Sequence, residues 1–230
     1  MPQGSQITVM ATAAFKEAYL ELVPEFERAT GHKVSTKWVT TVQIPNRLKA
    51  GEATDLVIMS AAGIDELIEL GFIARADRVD LATCGVGVAV RAGAPKPDIS
   101  SAETLKRALR AASAIAYSTG PSGVYIAELI QRMGLAEELK SKLKQTQGEP
   151  TGAVVARGEA EIAFQQVCEL LPVPGIDFIG PLPAEIQRIT VFAAGVHVAA
   201  REPEAARTLV RFFTAPAAAP VIRKKGMEPA

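Results

Sequence analysis

Apolar and polar positions switch between two periods along this chain, and the switches mark out a repeating unit. Ile7-Thr8-Val9-Met10-Ala11 is a short, nearly continuous apolar run of the kind a parallel strand buries on both faces. It meets Thr12-Ala13-Ala14, and the period then changes. Phe15, Tyr19, Leu22, Val23 and Phe26 form one stripe at helical spacing, which predicts a helix to about Thr30 that stops at Gly31. Val34 to Val39 predicts a second strand ending in Thr40-Thr41. A short helix follows, with Pro45 near its first turn and Gly51 at its close. Asp55 to Met59 predicts a third strand, followed by Ser60-Ala61-Ala62-Gly63 and a helix from Ile64 to Leu70 that Gly71 ends. Three βα units in succession, each strand ending in small or hydroxyl residues, predict a doubly wound α/β sheet. Ligands are expected at the carboxyl ends of such strands.

From Leu81 to Arg91 the pattern differs. The run is long, apolar and punctuated by Gly85 and Gly87, and it reads as a strand leaving one domain for another. Pro95-Lys96-Pro97-Asp98 is a turn. Ser101 caps a helix ending near Ala112. Thr104 stands where a full capping box has Glu or Gln, so the box reads as incomplete. Then come a strand from Ser113 to Tyr117, a glycine- and hydroxyl-rich turn, a helix from Val124 to Met133 and another from Ala136 to Leu143. Val154-Val155-Ala156 lies on a short helix, Glu161 to Gln166 is a strand, Leu171 to Gly175 is loop, and Phe178 to Leu182 is extended. Ile189 to Ala200 is a long strand that crosses back. A helix opened by Pro203 and a last one from Ala217 to Lys225 complete the chain. The whole predicts two doubly wound lobes joined by two crossing strands. Lobe I spans 1–82 and 192–230, lobe II spans 83–191, and a ligand cleft lies between them.

Composition narrows the partners. The 230 residues carry 25 basic and 25 acidic side chains, a net charge of +0, which gives no reason to expect nucleic acid or an anionic membrane surface. No apolar run approaches the ~18 residues of a membrane span, so no membrane insertion is expected. The polar start Met1-Pro2-Gln3-Gly4-Ser5-Gln6 is not a signal peptide. The expected compartment is the periplasm if a signal has been removed, and the cytoplasm otherwise. Cys84 and Cys168 lack CxxC or Cys/His spacing, so no zinc or other metal is expected, and two buried thiols are favoured over a disulfide. Gly85-Val86-Gly87 lacks a third glycine and a following helix, so no dinucleotide cofactor is expected either.

With no global positive field, an anion must be held by local dipoles and hydroxyls. The best placed stretch is Tyr117-Ser118-Thr119-Gly120-Pro121-Ser122-Gly123-Val124-Tyr125, where a strand breaks into a turn and opens a helix. The first N–H groups of a helix have no internal partner, and the helix dipole makes that end positive. Two readings stand: Ser122 is only an N-cap, or the turn cradles a ligand. Thr12, Thr40, Thr41, Ser60, Ser118, Thr119 and Ser122 all fall at strand-to-helix junctions, with backbone donors beside them at Ala13 and Gly123. Each is a helix cap or a ligand contact. Arg47 reads as lying in the first turn after Thr41, where a guanidinium is electrostatically awkward unless it holds a carboxylate. Gln165 and Gln166 end a strand and carry amide donors and acceptors. If the protein is an enzyme acting on a carbon acid, the candidate bases are Glu169, Tyr117, Tyr125 and His197. Arg157 reads as a helix-end cation and His32 as solvated.

The chain resembles the type II periplasmic substrate-binding proteins of the molybdate-binding kind. The likeness rests on Val9-Met10-Ala11-Thr12-Ala13-Ala14-Phe15, Phe26-Glu27-Arg28-Ala29-Thr30-Gly31-His32-Lys33-Val34, Gly51 to Ser60 and Arg157 to Ala163. It covers nearly the whole chain in order. It implies the two-lobed architecture, a small anionic ligand and an ABC-transporter permease as partner. Molybdate binders carry a serine after the first strand, a serine pair after the second and a tyrosine after the strand at Ile162–Phe164. Here those places hold Thr12 or Ala13, Thr40-Thr41 and Gln165-Gln166, which argues against molybdate itself and suits a carboxylate. The Tyr117–Tyr125 stretch, with Phe164-Gln165-Gln166-Val167-Cys168-Glu169-Leu170-Leu171, is also similar to the aconitate isomerase group on the same fold. That likeness implies a tricarboxylate ligand and a proton shift along it.

Overall fold

The computed structural model describes residues 4–230, so the polar start at Met1-Pro2-Gln3 lies outside the described residues. The chain divides into two compact units, Met1–Thr83 with Val191–Ala230, and Cys84–Thr190.

The first unit opens with β1 (Gln6–Ala11), a single 3-10 turn and α1 (Lys16–Thr30). β2 (Lys33–Trp38), α2 (Gln43–Lys49), β3 (Leu56–Ser60) and α3 (Ala61–Glu69) follow. β1 pairs in parallel with β2 and with β3. β3 is buried at all five positions, as its unbroken apolar run requires. α1 buries Ala18, Tyr19, Leu22 and Phe26, and Gly31 ends it with φ +76°, a left-handed conformation that glycine adopts without a Cβ clash. Phe15 and Tyr19 pack their rings against Phe213 at centroid distances of 5.5 Å each. Each such ring contributes roughly 1.5–3 kcal/mol through burial.

β4 (Ile73–Arg91) carries the chain into the second unit. It starts eight residues before the expected Leu81, because its first half is too charged to read as strand. Arg78 pairs with Asp65 (2.9 Å) and Asp80 (3.1 Å), and Asp77 pairs with Arg207 (2.7 Å), along a part-exposed ribbon.

The second unit continues with α4 (Ala102–Ala111), β5 (Ile115–Ser118), α5 (Pro121–Arg132), α6 (Ala136–Leu139), β6 (Leu143–Thr146) and α7 (Thr151–Ala156). β7 (Ile162–Gln166), α8 (Val167–Leu170) and β8 (Ile176–Pro181) complete it. β5 lies parallel between β6 and β7, while β7 and β8 run antiparallel to β4. β6 falls partly where a helix to Leu143 was expected. Leu143-Lys144-Gln145-Thr146 has one strongly apolar residue, Leu143, which packs on this unit's core, and the segment pairs in parallel with β5. The capping box at Ser101 is complete: the Thr104 hydroxyl accepts from Ser101 N–H (3.0 Å) and Thr104 N–H donates to Ser101 Oγ (3.2 Å), so a hydroxyl does what Glu or Gln usually does. Val86, Val88, Leu105, Ile115, Ile126 and Phe164 centre this unit's core.

β9 (Ile189–His197) returns the chain to the first unit, where it runs antiparallel to β3. α9 (Pro203–Thr214), α10 (Ala219–Lys224) and the two-residue β10 (Glu228–Pro229), paired with β4, close the chain.

Candidate functional site

In the second unit β5 ends at Ser118 and the chain turns at once into α5. Gly120 is the N-cap, with extended backbone and no side chain to cap with, and Pro121 at the first helical position has no N–H. The sequence allowed Ser122 as the cap. It lies two residues further on, buried, in the first turn. No side chain therefore caps the start of α5, where the helix is positive. Gly123 is required sterically, because a Cβ there would lie 1.6 Å from the Ser118 carbonyl oxygen. The Ser118 Oγ accepts from Gly120 N–H (3.2 Å), which leaves its own O–H to donate, and Thr119 N–H is committed to the Thr146 carbonyl (3.1 Å).

β7 ends beside β5 and carries the two glutamines. Gln165 Oε1 accepts from both Thr151 N–H (2.9 Å) and Thr151 Oγ1 (2.9 Å) at the start of α7. The same side chain hydrogen-bonds the carboxyl of Glu169 on α8, which also takes a bond from the Gln166 backbone. Residue Glu169 keeps part of its surface, yet its carboxyl sits deep. Burial pushes its pKa up to about 7 against those two bonds, which favour the charged form.

Gln166 departs from expectation. Its Nε2 donates to the carbonyls of Cys84 (3.0 Å) and Gly85 (3.1 Å), and its Oε1 accepts from Thr190 Oγ1 (2.9 Å). Those carbonyls can only accept, which decides the amide's orientation. Both ends of Gln166 are spent on strand anchoring. Beside it Cys168 N–H points to Cys84 Sγ at 3.4 Å, so the two thiols, expected in separate strands, are neighbours, and burial pushes the Cys168 thiol up.

In the first unit Thr12 follows β1 in an extended conformation, buried, with its hydroxyl capping nothing and its N–H on the Ile58 carbonyl (3.0 Å). Ala13 beside it is exposed and starts the 3-10 turn. Thr40 and Thr41 are half-buried after β2. The Thr40 Oγ1 is shielded from solvent and meets no hydrogen-bond partner among the described residues. Ser60 ends β3 and caps α3 by accepting from Gly63 N–H (3.3 Å).

Arg47 is a correction. α2 begins at Gln43, so Arg47 falls in its last turn, where a cation is favourable, and its guanidinium pairs with Glu52 at 3.0 Å. Two of the four candidate bases also lie elsewhere or are spent. His197 sits where β9 passes the start of β3, the end opposite Ser60, with Nδ1 accepting from Ala199 N–H, and burial lowers its pKa. Tyr125 donates to the Ile186 carbonyl (2.7 Å), and Tyr117 packs on the second unit's core. Glu169, three residues past the end of β7, has a side-chain partner, and Tyr117 lies next to last on β5. Outside the candidate set, Arg157 is held between Glu149 and Glu159 (2.6 Å each), and His32 Nδ1 accepts from Ser5 N–H (3.0 Å). Thr151 was missed in the sequence, where it reads only as a helix start after Pro150.

Parallel strands that end in hydroxyls, opposed by antiparallel crossing strands, agree with what known proteins show. The model of the bacterial extracellular solute-binding proteins matches residues 7–228. The chain belongs to that family. It is 38% identical over 229 residues to an aconitate isomerase from Pseudomonas sp, covering 97% of this chain and 87% of the relative. The periplasmic molybdate-binding protein of Azotobacter vinelandii superposes with a TM-score of 0.80 at 18% identity, covering 96% of this chain and 98% of that one. The sulfate-binding protein SubI of Mycobacterium tuberculosis H37Rv does so with a TM-score of 0.80 at 17% identity, covering 98% and 87%. The chain thus has the type II periplasmic binding protein fold. None of its described helices is long and apolar enough to cross a membrane.

Proposed function

We propose that this solute-binding protein takes an unsaturated tricarboxylate of the aconitate type and shifts a proton along it. The observation that carries the reading is the Glu169 carboxyl on α8, just past the end of β7, set deep beside Gln165, where burial pushes its pKa up to about 7. A carboxyl tuned to that range is close to half-ionised at neutral pH, so it can both accept and return a proton. It takes a proton from the methylene beside the ligand's double bond. The double bond moves over, and the proton returns at the former vinyl carbon. One proton leaves and one comes back, so no oxidant or reductant enters. The likeness to an aconitate isomerase over 97% of the chain supports the same reading.

The proposed holders of the ligand in the second unit are Ser118, Thr119, Ser122 and Gly123, at the uncapped positive start of α5. The proposed donors in the first unit are Thr12, Ala13, Thr40, Thr41 and Ser60. Gln165 positions Glu169 and holds α7.

The test is NMR in D₂O with trans-aconitate. Conversion to the cis isomer with deuterium uptake is expected, and Glu169→Gln should slow it by a hundredfold or more while the ligand still raises the melting temperature. A wild-type protein that binds but never turns over leaves the second reading. That reading is a periplasmic receptor for an organic anion that serves an ABC-transporter permease, and the family match over residues 7–228 favours it. A panel of carboxylates that fails to move the melting temperature sinks both.

A further inference from the structure

Within the second unit a cavity of ≈ 370 Å³ opens between α4, α5 and the segment at 185–188. Arg132 lies ten residues past Ser122 on α5, roughly 15 Å along the helix. The cavity's ring is Tyr125, whose hydroxyl donates to the Ile186 carbonyl and accepts from Arg132 Nη2 (3.1 Å). The Arg132 guanidinium stands over that ring at 5.3 Å and the Arg188 guanidinium at 5.8 Å. Two like charges are gathered on one phenol, with Lys106 also on the cavity wall. No carboxylate among the described residues forms an ion pair with either arginine. The wall's acidic side chain, Glu185, accepts from Ala102 N–H at the start of α4 (2.6 Å), and Lys106 is paired with Glu103 (3.0 Å). Leu129, Met133 and Ile186 supply apolar wall.

We infer that this cavity is a second binding site, separate from the strand ends, for a small doubly charged organic anion with an apolar body, such as a phosphate ester. Assembling two unpaired guanidiniums costs like-charge repulsion that a dianion between them reverses, and Arg forks suit phosphate oxygens. Tyr125 and the apolar wall take the body of the ligand. The inference does not depend on the isomerase reading.

The probe is phenyl phosphate, with inorganic phosphate and phenol as controls, followed on the intact chain by methyl NMR and calorimetry. Phenyl phosphate should shift the methyls of Leu129, Met133 and Ile186 and bind more tightly than either control. Its affinity should fall as salt rises. The double variant Arg132→Gln with Arg188→Gln should weaken it tenfold or more and leave the effect of trans-aconitate on the melting temperature within error. Saturating trans-aconitate should not displace it. Unshifted methyls, an affinity unchanged in the folded double variant, or displacement by trans-aconitate would each overturn the site.

Discussion

Asp55 in the first unit and Glu169 in the second each carry a carboxyl that lies deep, and their surroundings push the two in opposite directions. Asp55 precedes β3 in the first unit. Burial raises its pKa, but one oxygen accepts from Thr8 N–H and Thr8 Oγ1 (2.7 Å each) and the other from Arg201 N–H (2.7 Å) and Glu202 N–H (3.0 Å). The four donors win, and the group is held below the usual carboxylate range. Glu169 meets two hydrogen bonds, too few against its burial, and rises to about 7. Asp55 sits at the amino end of the parallel strands, where it staples the start of α9 to β1. Glu169 sits on α8, just past the carboxyl end of β7. Saturated donors make a structural anchor, and a shortage of donors makes a carboxyl that titrates near neutrality.

The largest expected effect comes from breaking the anchor. Asp55→Ala strands four donors and should lower unfolding stability by roughly 3–5 kcal/mol in urea denaturation. A loss under about 1 kcal/mol would mean the four bonds are not a staple. Because the Asp55 pKa is depressed, its contribution is present above the ordinary range near pH 4 and is lost as the pH falls through its lowered value.

Glu169 has the opposite sign. Its raised pKa favours the folded state at low pH, fully so below about 4.5, and that contribution disappears as the pH rises through about 7. Glu169→Gln should therefore remove a downward slope of stability between pH 5 and 8, leaving the variant about 1–3 kcal/mol more stable relative to wild type at pH 8 than at pH 4. Parallel pH profiles for the two proteins would equalise the two carboxyls and break the comparison.

Ser118→Ala and Ser122→Ala each remove one hydroxyl from the start of α5. Each should weaken carboxylate binding by roughly 0.5–3 kcal/mol in calorimetry, with little change in folding. Unchanged affinity in both would move the site elsewhere. The smallest effect on folding is expected at Thr40, whose hydroxyl meets no partner among the described residues. Thr40→Val should change stability by less than about 0.5 kcal/mol while lowering affinity, since only a ligand would use that group. A marked loss of stability would show the hydroxyl to be structurally engaged.

Much of this architecture was legible along the chain. The change from buried strand to helical stripe at Ala11–Phe15, the stop at Gly31 and the hydroxyls after each strand are local signals, and backbone pairing respects them. Where the reading failed, the deciding partner lay far off in sequence or a boundary moved. The charged half of β4 is a strand because Asp65 and Arg207 supply counter-charges from other elements. Arg47 changed meaning because α2 starts two residues before Pro45, which turns its guanidinium to Glu52. Gln166 looked like a ligand donor because nothing local shows Gly85 and Thr190 waiting for its amide.

The periods, the breaks and the chemistry available at each strand end are written in the order of residues. Hydrophobic burial and turn geometry act over a few residues, so a chain can state them locally. Which polar groups are spent is settled by the folded arrangement. A carboxyl's pKa and a hydroxyl's freedom depend on how many donors gather round it, and the donors round Asp55 come from β1 and from the segment before α9, far apart in sequence. That is why Asp55 and Glu169, alike as letters, became an anchor and a titrating acid.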